Sequence, residues 1–262
     1  MSAEIRTINV TRYVTPLREG GSLPAIIEAD DDGLYVLKFR GAGQGLKALV
    51  AELLSGELAR HLGLRVPEIV FATLDRELSR LEPDPEIQDL LRASAGSNLA
   101  MDFLPGSMTF DPVVETVDAK LASQIVWLDA LVTNVDRTAR NTNILMWHKK
   151  LWLIDHGASL FFHHAWQNWE EQSRRPFVQI KDHVLLRYAT ELDLVDNEFK
   201  TQLSYDSIAA IVDLIPDEWL ADELQLRSIE EKRVVYKTFL QNRAEHSRVF
   251  VEEAQRAREA AI

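Results

Sequence analysis

The residues best suited to chemistry flank a predicted hairpin in the middle of the chain. Asp136 and Asn141 lie five residues apart, and the hairpin, read as ILMW-HKK-LWLID, ends at Asp155. Because a hairpin folds the chain back on itself, Asp155 returns close to Asn141. A carboxylate and an amide oxygen can then share Mg²⁺, a hard cation that prefers oxygen ligands. Asp136 stays free to accept a proton from an attacking hydroxyl, and phosphoryl transfer requires this division of roles.

Two groups nearer the N-terminus could serve the same chemistry. Gly20-Gly21-Ser22 lies between two predicted strands, and paired glycines let backbone N–H groups approach a phosphate closely. Lys38 lies in the segment YVLKF, where strand alternation places Tyr35, Leu37 and Phe39 on the opposite face. A buried ammonium needs an anionic partner, so the position of Lys38 predicts a carboxylate nearby.

Two choices between neighbouring residues stay open. The helix after Lys38 carries both Glu52 and Glu57. On a helical wheel Glu57 falls within the apolar stripe and Glu52 lies outside it, so the wheel favours Glu57 without settling the partner of Lys38. Asn143 lies two residues past Asn141 and residues two apart on a strand share a face, so either amide can be the metal ligand.

The N-terminal part of the chain must supply a sheet and one helix to position these groups. Residues 5–40 are rich in β-branched and apolar residues, and LPAIIEA and LYVLKF predict an antiparallel hairpin across an acidic turn. Residues 46–62 change to helical spacing. Two further segments, 66–74 and 98–104, return to strand composition, and 75–95 reads as a short helix or loop.

Helical patterns dominate after Pro112, and residues 228–260 read as one long charged helix. The sequence therefore predicts an α+β fold with two lobes. The first, residues 1–104, is a small antiparallel β lobe with one helix, and the second, residues 105–262, is a larger helical lobe with the catalytic loop and metal site.

Composition excludes several classes of protein. The chain has 262 residues, 46% of them apolar, and 29 Lys and Arg against 41 Asp and Glu give a net charge of −12. The apolar fraction predicts a globular protein, and the absence of cysteine excludes disulfide scaffolds, zinc–thiolate sites and Cys nucleophiles. The negative charge argues against direct nucleic-acid binding. With no signal-peptide pattern and no apolar run of about 18 residues, we expect a cytoplasmic protein that does not cross a membrane.

The ordered set of motifs resembles that of the protein-kinase-like fold. The residues within each motif are most similar to those of the HipA-like kinases. Along the chain these motifs are, in order, a glycine loop, a Lys on a strand, a Glu on a helix, an Asp followed by an Asn, and an Asp-x-Gly motif. The pieces that carry the resemblance run from residue 20 to about 160: GGSLP, YVLKF, AELLSGELARHLGLRVP, FLPG, NVDRTARN and LIDHG. The Asp-Arg opening with Asn five residues later is shared with the phosphatidylinositol-kinase branch.

The resemblance implies a kinase that uses ATP and Mg²⁺, and it assigns roles by position. Lys38 is expected to bind the α- and β-phosphates, and Glu52, in disagreement with the wheel, to orient Lys38. Asp136 is expected to be the catalytic base. The remaining implied site residues are the magnesium ligands Asn141 and Asp155, the adenine hinge Met101, Asp102 and Phe103, and the phosphate loop Gly20, Gly21 and Ser22.

The chain departs from the pattern of protein kinases at several positions. No GxGxxG is present, and Asn134, Thr138 and His156 replace the His of HRD, the His that often follows Asp-Arg in this branch, and the Phe of DFG. The family also implies Ser22 as an autophosphorylation site. We expect the acceptor to be a protein Ser or Thr hydroxyl. The alternatives are a small-molecule kinase, indicated by a closed pocket lined by Trp166 and Trp169, and a pseudokinase that acts as an interaction module.

Overall fold

The computed structural model describes residues 4–17, 23–43, 45–221 and 228–260. Five strands near the N-terminus form a closed barrel in the order β1-β2-β3-β5-β4. Their bounds are β1 (Thr7–Pro16), β2 (Ala25–Ala29), β3 (Leu34–Lys38), β4 (Ile69–Leu74) and β5 (Gly96–Asp102). Neighbouring strands are antiparallel, as expected, except that β1 pairs in parallel with β4 and thereby closes the barrel.

The predicted hairpin is β2 and β3, with Ala25 opposite Leu37 and Glu28 opposite Leu34. Side chains alternate along β3: Tyr35 and Leu37 are buried in the barrel core, whereas Val36 and Lys38 point to the other face and are half-buried. This alternation removes Lys38 from the apolar interior of the barrel.

Helix α1 (Gly45–His61) lies between the barrel and the C-terminal helices, and every residue from Leu49 to Ala59 in it is buried. A helix buried on all sides has no solvated face, so both Glu52 and Glu57 are buried at 1% and 7% exposure. Residues 75–95, for which the sequence left a short helix or a loop open, form a 3-10 helix (Arg76–Leu81) and α2 (Pro85–Ala93). The N-terminal region therefore carries a short helix in addition to α1.

The remaining described elements are mainly helical. After β6 (Met108–Thr109) and α3 (Ala119–Val132) come β7 (Ile144–Trp147) and β8 (Lys150–Leu153), then α4 (Trp169–Ser173), α5 (Leu192–Gln202), α6 (Tyr205–Val212), α7 (Asp217–Leu220), α8 (Ile229–Glu245) and α9 (Arg248–Ala260). The predicted hairpin after Asn141 is confirmed as β7 and β8. Its turn residues His148 and Lys149 both have positive φ, which matches the right-handed twist of the strands.

The prediction of one long C-terminal helix is wrong, because α8 ends at Glu245 and α9 begins at Arg248. The break is a tertiary effect. The Ser247 hydroxyl between the two helices is fully buried and donates to Asp196 on α5, whose carboxylate also accepts from Trp127. None of the described helices is long and apolar enough to cross a membrane.

Candidate active site

Lys38 is the centre of an ion cluster that joins β3, α1 and the end of the β7–β8 hairpin. Its Nζ lies 2.6 Å from Oδ1 of Asp155 and 3.7 Å from Oε2 of Glu52. The Lys38 side chain is 12% exposed, so it depends on these two anions. The sequence predicted an anionic partner for this Lys, and the structure supplies two.

The electrostatics of the cluster favour the charged forms. Burial by itself lowers the pKa of Lys38, but the charges of Glu52 and Asp155 outweigh it and raise that pKa above its usual value. Burial by itself raises the pKa of Glu52, and the charge of Lys38 together with contacts to His156 lowers it to about 2. Glu52 is therefore an ionised partner of Lys38 at neutral pH.

Glu57, which the helical wheel favoured, lies elsewhere. Its nearest ion pair is with Arg60, at 3.6 Å on the same helix, and burial raises its pKa. The structure therefore brings Glu52, and not Glu57, to Lys38.

Asp136, Asn141 and Asn143 form the second part of the site. Both amides donate to Oδ2 of Asp136, at 2.7 Å from Asn141 and 3.2 Å from Asn143. Asn143 also donates to the backbone carbonyl of Asp155 at 3.4 Å, and its own side chain is buried, whereas Asn141 is exposed. Asn143 thus links Asp136 to the Asp155 loop, and the Asn141 amide keeps its oxygen outside these bonds.

A buried network that the sequence did not reveal holds this loop in place. Arg137 and Asp129 form an ion pair in which both side chains are fully buried. Arg137 also donates to the carbonyls of Asn143 and Ile154, so one guanidinium ties α3, the loop and the strand leading to Asp155 together.

Asp129 accepts from three side chains, two on the loop after α3 and one near residue 183. Besides Arg137, Asn134 donates to Oδ1 at 3.0 Å and the His183 ring lies 2.9 Å from Oδ2. Burial by itself raises the pKa of Asp129, but Arg137 and His183 hold it well below its usual value. The available sequence signal was an Asp at position 129 on the apolar face of α3, one turn after Ile125.

The predicted hinge is the end of β5 and the residues after it. Met101 is buried opposite Val36, and the amide groups of Asp102 and Phe103 donate to the carbonyls of Glu68 and Leu34. These amides are occupied by the sheet. The predicted phosphate loop, Gly20, Gly21 and Ser22, lies outside the described residues.

A cavity of about 490 Å³ opens beside the residue preceding Asp136. Among its lining residues are Val135, Phe161 and Val178, three apolar side chains with exposures of 42%, 65% and 50%. Trp166 and Trp169 do not line this cavity and pack against the helical core instead. His163 is also a packing residue, buried and hydrogen-bonded to Tyr236.

The sequence as a whole is similar to one family of known proteins. A sequence model described as HipA-like kinase matches residues 10–248. No curated protein matches the chain significantly.

Among the solved structures that match the chain are two kinases. The Helicobacter pylori proinflammatory kinase CtkA is 13% identical with a TM-score of 0.50, and the match covers 98% of this chain and 99% of that one. The Golgi casein kinase with Mn and ADP bound is also 13% identical, with a TM-score of 0.51 and coverage of 98% and 75%. At this identity the likeness shows a protein-kinase-like fold and nothing finer.

Proposed function

The chain belongs to the HipA-like kinase family, and from this premise we propose that it transfers the γ-phosphoryl group of ATP to a protein Ser or Thr hydroxyl with the help of Mg²⁺. The observation that carries the proposal is the cluster of Lys38 with Glu52 and Asp155, at 3.7 and 2.6 Å. It joins a cation suited to phosphates to a carboxylate suited to a metal, beside the pair of Asp136 and Asn141.

The donor chemistry fits a hard divalent cation. Asp155 would hold it through a carboxylate and Asn141 through its amide oxygen, and the described part of the chain offers no cluster of three His, Cys, Asp or Glu as an alternative metal site. We assign Asn143, buried and bonded to the Asp155 carbonyl, to bracing the loop instead. Bound Mg²⁺ neutralises phosphate charge and orients the γ-phosphoryl group.

The chain's own residues carry out the remaining steps. Lys38 binds the α- and β-phosphates, and Glu52 keeps its ammonium directed at them. Asp136 accepts the proton of the attacking hydroxyl while the oxygen–phosphorus bond forms. The bond between the γ-phosphorus and the β,γ-bridging oxygen breaks, and ADP leaves with that electron pair.

We propose that the nucleotide lies between a lobe of residues 1–104 and a lobe of residues 105–262. The hinge Met101 to Phe103 would face adenine. Because the amides of Asp102 and Phe103 already donate within the sheet, their carbonyls are the groups that remain for the adenine amino group. Gly20, Gly21 and Ser22 would cover the phosphates.

The cavity lined by Val135, the residue before Asp136, supports a protein acceptor over a small molecule. Exposed Phe161 and Val178 offer a contact for an apolar side chain of a polypeptide. A closed pocket lined by Trp166 and Trp169 would have favoured a small molecule, and these residues pack elsewhere. An ionised Lys38–Glu52 pair also argues against a pseudokinase.

The direct test is ³²P transfer from [γ-³²P]ATP·Mg²⁺ to a library of Ser- and Thr-containing peptides. We expect incorporation by the wild type and a loss of about 10²–10⁴-fold in Asp136→Asn, the usual contribution of a general base. Equal incorporation by both proteins would contradict the role of Asp136. Incorporation only into sugars or other small alcohols would replace the protein acceptor with a small-molecule one.

A further inference from the structure

His156 lies at the point where the Asp155 loop meets α1. Its side chain is fully buried, and Nδ1 lies 3.5 Å from Oε1 of Glu52. The other oxygen of the same carboxylate, Oε2, faces Nζ of Lys38. The two oxygens of Glu52 are thus divided between Lys38 and His156.

Both facing atoms lack any other partner. Within residues 4–17, 23–43, 45–221 and 228–260, Oε1 of Glu52 and both ring nitrogens of His156 are buried and have no hydrogen-bond partner, and Nδ1 is the ring nitrogen that lies 3.5 Å from Oε1. Buried polar atoms in proteins are nearly always hydrogen-bonded, because leaving them unpaired costs free energy. Each atom is therefore the available partner of the other, and a carboxylate oxygen can only accept, so Nδ1 of His156 must carry the hydrogen.

We propose that His156 is a positioning residue, whose Nδ1–H donates to Oε1 of Glu52 and holds this carboxylate against Lys38. The proposal rests on the function proposed above and deepens it. His156 stands where the DFG motif of protein kinases has Phe. In this proposal the histidine forms a polar link between the Asp155 loop and α1, which a Phe side chain cannot form.

The ion distances explain why Glu52 needs this support. Lys38 is nearer to Asp155, at 2.6 Å, than to Glu52, at 3.7 Å. Asp155 is also the carboxylate that we assign to the metal, so its negative charge is divided between the metal and Lys38. Glu52 is then the anion that remains to fix Lys38, and His156 keeps Glu52 from rotating away.

A pair of substitutions separates positioning from packing. His156→Phe keeps a ring of similar volume and removes the donor, whereas His156→Asn is smaller and keeps an N–H near the position of Nδ1. We expect kcat/KM for Mg·ATP to fall at least 10-fold in His156→Phe and less than about 3-fold in His156→Asn. If His156 only filled space, the order would be reversed, because Asn leaves a cavity and Phe does not. That reversed order, or equal activity of all three proteins, would overturn the proposal.

A second measurement needs no nucleotide. The ¹⁵N chemical shifts of the histidine rings report which nitrogen carries the proton, and the signals of His156 are identified by their absence in His156→Asn. We expect a protonated Nδ1 in the wild type and a change in its signal in Glu52→Ala. An unprotonated Nδ1 in the wild type would refute the proposed donor. If the wild type neither binds nor uses Mg·ATP, the proposed function fails, and the ring spectrum still decides the role of His156.

Discussion

Replacing Asp129 by Asn is the perturbation whose cost the structure defines best. Both carboxylate oxygens of Asp129 accept hydrogen bonds, Oδ1 from Asn134 and Oδ2 from His183, and the buried guanidinium of Arg137 donates to this carboxylate as well. An amide at this position places an N–H₂ group against donors and removes the negative charge. Arg137 is then left buried without its ion partner.

The magnitude follows from the burial of the pair. Breaking a fully buried ion pair from one side costs about 3–5 kcal/mol of unfolding free energy. For a chain of this size each kcal/mol lowers the melting temperature by about 2–4 °C, so Asp129→Asn should lower Tm by about 6–20 °C. The assay is thermal unfolding followed by circular dichroism without nucleotide.

A matched control comes from an exposed pair of the same types. Asp89 and Arg92 form an ion pair on α2 at 3.1 Å, but the Asp89 side chain is 78% exposed. Exposed pairs contribute little because water and salt screen them, so Asp89→Asn should leave Tm within about 2 °C of the wild type. Equal shifts in both variants would refute the conclusion that burial of the Asp129–Arg137 pair anchors the loop that carries Asp136.

Three other predictions concern the active site. Glu52→Gln should reduce phosphoryl transfer at least 10-fold, whereas Glu57→Gln should leave phosphoryl transfer unchanged. Glu57→Gln should also keep or raise Tm, because burial raises the pKa of Glu57 and an ionised buried carboxylate destabilises the fold. The low pKa of Glu52, about 2 instead of 4.5, means that its stabilisation is present above pH 4.5 and disappears towards pH 2. The difference in unfolding free energy between wild type and Lys38→Met, measured with urea, should therefore narrow over that range, and a constant difference would contradict the pairing. Phe161→Asp should lower peptide phosphorylation while the Tm shift with Mg·ATP stays unchanged, and a loss of both would place Phe161 in the fold rather than at the acceptor.

Local sequence signals predicted the parts of the fold that depend on neighbouring residues. The β2–β3 and β7–β8 hairpins are such parts, because alternation and turn residues act within about ten positions. The β7–β8 hairpin also predicted that the chain returns Asp155 towards Asp136 and Asn141. Lys38 could be found in the same way, because a charged residue in an apolar strand stands out.

Contacts between distant segments could not be predicted. The helical wheel assumes one buried face, and α1 is buried on all sides by elements far away in sequence, so the wheel could not separate Glu52 from Glu57. His183 meets Asp129 from 54 residues away, and Ser247 breaks the C-terminal helix through a bond to Asp196. A lone His or Ser in the sequence does not indicate which distant residue it will contact.

The central claim is that Lys38 and Asp155 together hold Mg·ATP, and a thermal-shift titration tests it most directly. A ligand at 100 times its dissociation constant stabilises the folded state by about 2.7 kcal/mol, which for this chain corresponds to about 5–10 °C in Tm. We predict that wild type shows this shift with ATP and Mg²⁺, loses it on addition of EDTA, and that Asp155→Ala does not show it. A well-folded wild type with no shift, or an equal shift in Asp155→Ala, would contradict the claim.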